Sequence, residues 1–291
     1  MNLWKHLSDQ ISQHTQQKFE ISSQTATGGG CINETYRISD GNTHYFVKLN
    51  SAKYGDMFET EALSLLELSN RSTIRIPQPV CFGQTDSQAY LVLEFLSLTG
   101  RPDATLCGQQ IAAMHRTSAS QYGWDRDNTI GSTPQQNRPN SNWVKFWREQ
   151  RLLPQLKLAA ANGYGKALSP VTDRLLSDFD CLFENYTPLP SMLHGDLWGG
   201  NAAALEDGTP VIFDPAFYYG DRETDIAMTH LFGGFDRRFY DAYNEAWPLD
   251  DGFAVRKTFY NLYHIINHLN LFGTGYLGQA VSMTERVLAE I

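Results

Sequence analysis

The sequence lacks the features that mark membrane-bound and exported proteins. No stretch approaches the roughly 18 apolar residues that cross a bilayer, and the opening MNLWKHLSDQISQHTQQ has no long apolar segment of the kind found in secretion signals. The four cysteines, Cys31, Cys81, Cys107 and Cys181, lie far apart, without the close spacing of zinc sites or redox dithiols. These absences predict a soluble cytoplasmic protein with reduced thiols and no membrane partner.

Basic residues are also scarce. Lys and Arg total 23 against 32 Asp and Glu, so the formal net charge is -9, and no run of basic residues occurs. Nucleic acid is therefore not an expected partner. Apolar residues make up 42% of the 291 residues, which is enough for one large domain or two modest ones.

The first part of the chain has mainly strand character. Leu3, Leu7 and Ile11 recur at helical spacing and predict a short amphipathic helix. Turn residues then separate short apolar segments, which favours an antiparallel meander, and helical spacing returns later, before a buried strand. The predicted strands are 21–27, 35–39, 44–50 and 89–96, and the predicted helix spans 58–68.

After Gly100 the pattern changes to longer helical stretches, which include 105–117, 143–153, 171–183 and 253–272. The block from Met192 to Asp214 interrupts these helices with short strands and a turn at Glu206-Asp207-Gly208. We therefore predict an α+β fold with a β-rich domain over residues 1–96 and a mainly helical domain over residues 97–291.

The stretch SMLHGDLWGGN holds the clearest chemical signal. Asp196 is followed five residues later by Asn201, and a hairpin over residues 202–213 then leads to Asp214 after the apolar run VIF. Phosphoryl transfer needs such a set: an Asp that accepts the proton of an attacking hydroxyl, and an Asn and an Asp that hold Mg²⁺. The spacing from Asp196 to Asn201 equals that in the kinase pattern H-R-D-L-x-x-x-N, with Gly195 in place of its Arg.

Ordinary turns are the alternative interpretation of this stretch, since Gly, Asn and Asp favour loops. Features upstream favour the kinase. Lys48 in YFVKLN is placed to bind ATP phosphates, and an acid on the next helix is expected to hold it. The apolar face of that helix lies about 60° from Glu61 and about 100° from Glu59, which makes Glu61 the more inward acid and the predicted partner of Lys48.

Two further segments are candidates for the nucleotide. Gly28, Gly29 and Gly30 allow backbone amides to approach phosphates, although a plain flexible hairpin explains them equally well and their spacing matches neither G-x-G-x-x-G nor a Walker A loop. Glu94 and Leu96, at the end of the apolar strand 89–96, are expected to offer backbone groups to the adenine ring. The alternative is that this strand is simply core.

Several of these motifs together resemble the fructosamine kinase, or ketosamine-3-kinase, family within the aminoglycoside phosphotransferase and protein-kinase-like superfamily. The resemblance covers nearly the whole chain and is carried by GGGCINETYRI, YFVKLN, MFETEALSLLEL, LHGDLWGGN, VIFDPAFYYGDRETDIAMTHLFGGF and LYHIINHLNLFGTGY. HGDLWGGN and FDPAFYYG are its specific parts. It implies a two-lobed protein-kinase-like fold and phosphorylation of the 3-hydroxyl of a ketosamine by ATP, after which the 3-phosphate breaks down and frees the amine.

The resemblance also implies roles for individual residues. Asp196 would be the catalytic base, Asn201 and Asp214 the magnesium ligands, and Lys48 the phosphate-binding lysine with Glu61 as its partner. The glycine segment with Asn33 would bind the nucleotide. Trp198 would offer its indole face to the sugar, with a role as a packed tryptophan as the alternative, and Gln135 and Asn137 match a Q-x-N pattern assigned to the substrate.

Three positions are less clear. The family often has His where Asp221 stands, so no role is predicted there. Cys31, directly after the glycines, is either an oxidisable thiol that links two copies into a dimer or a small packed residue. His264 and His268 are four residues apart, but HIINH lacks the Glu of H-E-x-x-H and no third ligand is apparent, so they are predicted to be ordinary helix histidines.

Two rival functions stay open from the sequence. One is phosphorylation of another small alcohol, such as an aminoglycoside or choline, and the other is nucleotide sensing without turnover. A protein kinase is disfavoured because Pro215 and Ala216 follow Asp214 and no A-P-E element appears. The preferred sugar, the choice between a free and a protein-bound acceptor, and the choice between monomer and homodimer are not fixed by the sequence.

Overall fold

The computed structural model describes residues 2–28 and 33–291. The chain divides into two compact units, unit 1 with residues 1–103 and 203–215, and unit 2 with residues 104–202 and 216–291. The division differs from a single boundary near residue 97, because the segment 203–215 pairs with unit 1. Thr99 and Ala204 exchange backbone hydrogen bonds at 2.7 and 3.2 Å, and the Ile212 N–H donates to the Arg75 carbonyl oxygen at 3.1 Å.

Unit 1 is built on an antiparallel five-stranded sheet in the order β1-β2-β3-β5-β4. The meander predicted from the sequence is confirmed for β1, β2 and β3, which pair in chain order. Strand β4 was not predicted. The elements of unit 1 are α1 (Leu3–Thr15), β1 (Ser23–Ala26), β2 (Glu34–Ser39), β3 (His44–Ser51), α2 (Gly55–Arg71), β4 (Pro79–Gln84), β5 (Gln88–Glu94) and the ribbon of β9 (Ala202–Ala204) and β10 (Pro210–Ile212).

The apolar face of α1 closes one side of this sheet. Leu7 and Ile11 are fully buried, as the helical spacing predicts, and they share a core with Ile38 of β2 and Val47 of β3. Helix α2 buries Phe58, Ala62, Leu65 and Leu68 in the same unit. This packing fixes the helical phase that decides which acid of α2 points inward.

Unit 2 is mainly helical, with short two-stranded ribbons. Its elements are α3 (Ala104–Arg116), β6 (Asn128–Ile130), β7 (Thr133–Gln135), α4 (Trp143–Trp147), a π-helical turn (Arg148–Leu152), α5 (Leu153–Ala161), α6 (Gly165–Asp178), β8 (Ser191–Leu193), β11 (Tyr218–Gly220), α7 (Glu223–Thr229), α8 (Arg237–Ala246), α9 (Phe253–Phe272) and α10 (Leu277–Leu288).

Helix α9 is the longest element of unit 2 and is buried along most of its length, with Phe259, Tyr260 and Tyr263 in the core beside Trp143 and Trp147. Its observed bounds match the predicted stretch 253–272. Strands β8 and β11 pair antiparallel on either side of the chain segment 194–217. This pairing brings the loop after β8 to the start of β11. Within the described residues, no helix is both long and apolar enough to span a membrane.

Candidate active site

Lys48 forms a buried three-membered charge cluster in unit 1. Its side chain is 5% exposed, and Nζ donates to Glu61 Oε1 at 2.6 Å and to Asp214 Oδ1 at 2.5 Å. Lys48 lies on β3, Glu61 on α2, and Asp214 two residues after β10. The inward acid of α2 is thus Glu61, whereas Glu59 is exposed.

Burial and charge act on this cluster in opposite directions. Burial by itself lowers the pKa of Lys48, but the nearby charges of Asp214 and Glu61 outweigh it and raise that pKa above its ordinary value. Burial raises the pKa of Glu61, and the Lys48 ammonium offsets part of this rise. Lys48 therefore stays protonated over the physiological range and carries a positive charge.

Asp214 has an unusual backbone for its residue type. Its φ is +58°, in the left-handed region, which Asp and Asn tolerate better than most side chains. The side chain is 44% exposed, with Oδ1 on Lys48. A carboxylate held at one oxygen and open to solvent is suited to bind a hard cation such as Mg²⁺.

Asp196 and Asn201 form a hydrogen-bonded pair in unit 2. Asn201 Nδ2 donates to the Asp196 carbonyl oxygen at 2.9 Å and to Asp196 Oδ2 at 3.1 Å. Because the amide nitrogen faces Asp196, the amide oxygen Oδ1 is the atom of Asn201 that points away from this pair. An amide oxygen is also a ligand that Mg²⁺ accepts in proteins.

Gly195 is required by the shape of this loop. Its φ is +83°, and a Cβ atom at this position would lie 2.0 Å from the carbonyl oxygen of Ala216. The Ala216 N–H in turn donates to the His194 carbonyl oxygen at 2.9 Å. The loop and the segment after Asp214 therefore pack backbone against backbone, which leaves no room for a side chain where the kinase pattern has Arg.

Asp225 holds the backbone of the loop and was not predicted from the sequence. Its Oδ2 accepts the His194 N–H at 2.7 Å and its Oδ1 accepts the Gly195 N–H at 2.8 Å. His115 Nε2 lies 3.2 Å from Oδ2, and His115 Nδ1 lies 2.8 Å from the Tyr243 hydroxyl. Burial favours the protonated acid, but the His115 hydrogen bond and charge outweigh it and lower the pKa of Asp225. Asp225 therefore remains an acceptor for both backbone donors.

Trp198 lies in the same loop and is half-buried. Its ring packs against Gly200, where a Cβ would lie 2.3 Å from Cη2, and meets the Phe232 ring edge-on at 5.9 Å. The indole is thus supported on one side and partly accessible. This position is compatible with both interpretations made from the sequence, a sugar-facing ring and a ring that packs within the loop.

Gln135 and Asn137 are buried, and their side chains bind other parts of unit 2. Gln135 Nε2 donates to Asn128 Oδ1 at 2.8 Å and to the Ala216 carbonyl oxygen at 3.1 Å, and its Oε1 accepts the Tyr263 hydroxyl at 2.7 Å. Asn137 Oδ1 accepts from Arg151 Nη2 at 2.7 Å. Both residues therefore fix the backbone around Ala216 and the segment 126–138.

The expected adenine and phosphate segments are only partly described. Gly29, Gly30 and Cys31 lie outside the described residues, whereas a Cβ at Gly28 would meet no atom within 4 Å. Asn33 Oδ1 accepts from Asn50 Nδ2 at 2.8 Å.

At the other end of the sheet, the Glu94 carboxylate accepts from Arg75 Nη2 at 2.5 Å and from the Gln78 N–H at 2.6 Å. The Glu94 N–H donates to the Gln78 carbonyl oxygen at 2.9 Å. Strand β5 ends at Glu94, so Leu96 lies beyond it.

His264 and His268 both lie on α9. The described residues contain no group of three or more His, Cys, Asp or Glu arranged to hold a metal ion. Burial lowers the pKa of His264 to about 3 and also lowers that of His268. Both are neutral helix histidines near pH 7.

The sequence and the fold have clear relatives. A family model described as fructosamine kinase matches residues 3–290. A Synechocystis protein assigned as a ketoamine kinase is 47% identical over 98% of this chain and 97% of its own length. The chloroplastic protein-ribulosamine 3-kinase of Arabidopsis thaliana is 39% identical over 92% of this chain and 83% of its own.

The chain belongs to the fructosamine kinase family. A solved structure from Thermobifida fusca, assigned as a fructosamine-3-kinase, superposes with a TM-score of 0.84 at 32% identity over 97% of this chain and 98% of the other. A spectinomycin phosphotransferase superposes with a TM-score of 0.56 at 15% identity over 98% of this chain and 93% of the other, which shows a shared fold. The predicted α+β, protein-kinase-like fold and the predicted family are confirmed.

Proposed function

We propose that this protein is an ATP-dependent kinase that phosphorylates the 3-hydroxyl of ketosamines, the adducts that sugars leave on amines. The observation that carries the proposal is the buried cluster of Lys48, Glu61 and Asp214, which holds a permanent cation and an accessible carboxylate together. Membership of the fructosamine kinase family supports the substrate class. The 3-phosphate then decomposes and releases the amine, so the reaction is a deglycation.

Each residue has a proposed part in the reaction. Asp196 accepts the proton of the 3-hydroxyl as its oxygen attacks the γ-phosphorus, and Asn201 keeps the Asp196 carboxylate oriented. Asn201 Oδ1 and the Asp214 carboxylate would hold Mg²⁺, and the bound ion would neutralise charge on the phosphates. Lys48 binds the phosphates, and Glu61 holds Lys48.

The remaining predicted residues belong to binding. Gly28, Gly29, Gly30 and Asn33 are proposed to line the phosphates, and the backbone at Glu94 and Leu96 to meet the adenine. For the substrate, we propose that Trp198 contacts the sugar. Gln135 and Asn137 act through the backbone that they hold rather than through direct contact, because their polar side-chain atoms already bind protein groups.

We also propose a cytoplasmic location, which the free thiols of the chain support. Cys81, Cys107 and Cys181 are free thiols, and thiols persist in a reducing compartment. Detection of the protein in the soluble cytoplasmic fraction of its host would support this location, and detection in an exported fraction would contradict it.

An ATP-consumption assay tests the function directly. Ribulosamine, erythrulosamine and fructosamine derivatives of lysine are offered with aminoglycosides and choline as rival acceptors, and phosphorus–proton NMR locates the phosphate on the product. We expect turnover of ketosamines with phosphate on O3. Turnover of the rival alcohols alone, or phosphate at another hydroxyl, would contradict the proposal.

Asp196→Asn is the matched inactive variant for this assay. It keeps the shape of the side chain and an oxygen for the Asn201 amide but cannot take a proton. We expect kcat to fall by about 10² to 10⁴-fold with ATP binding retained. Asp86→Asn, an exposed acid of unit 1, controls for the loss of one negative charge and should keep full turnover.

A further inference from the structure

An aromatic cluster extends from the catalytic loop along the end of α9 in unit 2. We define it as Trp198, Phe232, His268, Phe272 and Tyr276. Phe232 meets Trp198 at 5.9 Å between ring centroids and His268 at 4.8 Å. His268 lies 5.3 Å from Phe272 and 5.2 Å from Tyr276. The cluster therefore forms a continuous series of rings that starts two residues after Asp196.

The cluster is accessible at its outer end. Phe272 is 53% exposed, one of the few large apolar side chains of the described residues with so much exposed surface. The other four rings are partly exposed. Gly233 and Gly234 follow Phe232 with φ of +98° and +73°, and a Cβ at Gly233 would meet no atom within 4 Å. Continuous aromatic surface next to a catalytic loop is characteristic of ligand-binding sites.

His268 adds a hydrogen-bond acceptor to these rings. Its Nδ1 lies 2.8 Å from the His264 carbonyl oxygen, and a carbonyl oxygen only accepts, so Nδ1 carries the proton. In the neutral ring Nε2 then carries the lone pair. Burial lowers the pKa of His268, which keeps this ring neutral near pH 7. The cluster thus offers aromatic faces and one acceptor nitrogen but no positive charge, a combination that favours an ammonium group.

The inner end of the cluster lies in the same loop as Asp196. Asn201 connects the two residues, because its N–H donates to the Trp198 carbonyl oxygen at 2.9 Å and its Nδ2 donates to Asp196 Oδ2 at 3.1 Å. A substrate bound to Asp196 through its hydroxyl therefore lies beside the loop that carries Trp198.

We propose that the aromatic cluster binds the amine portion of the ketosamine, with the protonated nitrogen at Trp198, Phe232 and His268 and the carbon chain of the amine along Phe272 and Tyr276. The inference rests on the proposed function. In a ketosamine the nitrogen is attached to C1, two carbons from C3, so a 3-hydroxyl at Asp196 brings the nitrogen close to the loop. Phe272 and Tyr276 then determine which amines are accepted.

Two substrates that share one sugar but differ in their amine distinguish binding of the amine by Phe272 and Tyr276 from a merely structural effect of these residues on the catalytic loop. One is the ribulosamine of methylamine, which has no chain to reach Phe272, and the other is the ribulosamine of Nα-acetyl-lysine amide. We expect Phe272→Ala and Tyr276→Ala to lower kcat/KM for the lysine derivative by about 10-fold, mainly through a higher KM. The same variants should change kcat/KM for the methylamine derivative by less than about 2-fold. Phe272→Tyr, which keeps an aromatic ring, should retain the parent preference.

Phe82→Ala is the matched control, because Phe82 is also exposed, at 37%, and lies on β4 of unit 1. It should leave both substrates unchanged. An equal loss for both substrates in Phe272→Ala, or no loss for either, overturns the inference while the proposed function stands. If the parent protein phosphorylates neither ribulosamine, the proposed function fails and the inference fails with it.

Discussion

Lys48 forms ion pairs with two carboxylates, Glu61 and Asp214, which differ in their exposure to solvent. Glu61 is nearly as buried as Lys48, whereas Asp214 keeps much of its surface in solvent. A buried ion pair adds little net stability by itself, but loss of one partner leaves a buried charge without compensation. Glu61 therefore acts to orient Lys48, and Asp214 remains available to a ligand.

Lys48→Met tests this division of roles. We expect a loss of stability of about 3 to 5 kcal/mol, because Glu61 is left without its cation, and a loss of kcat/KM of more than about 100-fold, since the phosphates lose their cation. Urea unfolding and steady-state kinetics measure the two effects. Lys48→Met/Glu61→Gln should recover most of the stability and none of the activity. Recovery of both, or of neither, would contradict the assigned roles.

The sequence alone identified the residues whose partners are near in sequence or obey helical phase. Asn201 lies five residues from Asp196, and Glu61 was separated from Glu59 by its angle to the apolar face of α2. Asp225 and His115 were not found, because their contacts span 30 and 110 residues and no local spacing marks them. Asp221 was left without a role. The structure shows its buried carboxylate accepting the Tyr260 and Tyr186 hydroxyls at 2.5 and 2.9 Å.

Among the elements, the loop after β8 depends most on its glycines. Gly195 has a left-handed backbone, and a Cβ there would lie 2.0 Å from the Ala216 carbonyl oxygen, whereas a Cβ at Gly199 would meet nothing within 4 Å and Gly199 has no left-handed φ. Gly195 is therefore required for steric reasons, whereas the position of Gly199 has room for a side chain.

Gly195→Ala and Gly199→Ala form a matched pair. We expect Gly195→Ala to destabilise the protein by about 3 kcal/mol or more, from left-handed strain and overpacking together, and to lower kcat by at least about 100-fold as the Asp196 carboxylate moves. Gly199→Ala should change stability by less than about 1 kcal/mol. Thermal unfolding of both variants measures this difference. Equal effects would show that the contact with Ala216 relaxes easily.

Helix α9 carries a buried histidine that should make the protein sensitive to acid. His264 is 4% exposed, and burial lowers its pKa to about 3 from an ordinary value of 6.5. A group whose pKa is depressed in the folded state binds its proton more readily when unfolded. Between pH 6.5 and about 3, each step of acidification therefore favours unfolding.

His264→Gln should weaken this dependence. In the parent we expect His264 to contribute a slope of about 1.4 kcal/mol per pH unit to the free energy of unfolding below pH 6, and the variant should lack that part. Urea unfolding at several pH values from 7 to 4 measures the slope. His14→Gln, an exposed position on α1, is the control and should keep the parent slope. An unchanged slope in His264→Gln would mean that water reaches this site in the folded protein.

The sequence predicted helices and strands well where the periodicity of apolar residues was strong, and less well where contacts with distant parts of the chain determine the structure. Helix α9 and strand β3 matched the predicted stretches almost residue for residue. Strand β4 was missed because prolines such as Pro77 and Pro79 argue against a strand. They are tolerated here because, among the described residues, β4 is an edge strand that pairs only with β5. Helix α8 was missed as well. It buries only Phe239, Ala242 and Tyr243, and its contact with α3 is not encoded in its own sequence.

At the scale of the whole molecule, the chain passes between its two units more than once. A single boundary near residue 97 follows from composition, since strand character changes there to helix character. The hairpin 203–215 belongs to unit 1 through backbone hydrogen bonds to Thr99 and Arg75, and backbone pairing over more than 100 residues leaves no trace in composition. Asp214 reaches Lys48 only because of this pairing.

Nucleotide binding should be visible in the stability of the whole molecule. A ligand that binds only the folded protein raises the free energy of unfolding by about 2.7 kcal/mol at 100 times its Kd. If Asp214 holds Mg²⁺, the rise in Tm with Mg·ATP should exceed the rise with ATP and EDTA in the parent. In Asp214→Ala the rise in Tm with Mg·ATP should equal the rise with ATP and EDTA, and metal-dependent turnover should be abolished.

Asp214→Asn separates this ligand role from the backbone. Asn tolerates the left-handed φ of +58°, so this variant should keep the Tm of the ligand-free parent, whereas Asp214→Ala should lose about 1 to 2 kcal/mol from strain. Asp214→Asn should also lose most of the extra stabilisation by Mg²⁺, since an amide is a weaker ligand than a carboxylate. A magnesium titration that is unchanged in both variants would remove Asp214 from the metal site and leave it only as the second acid of Lys48.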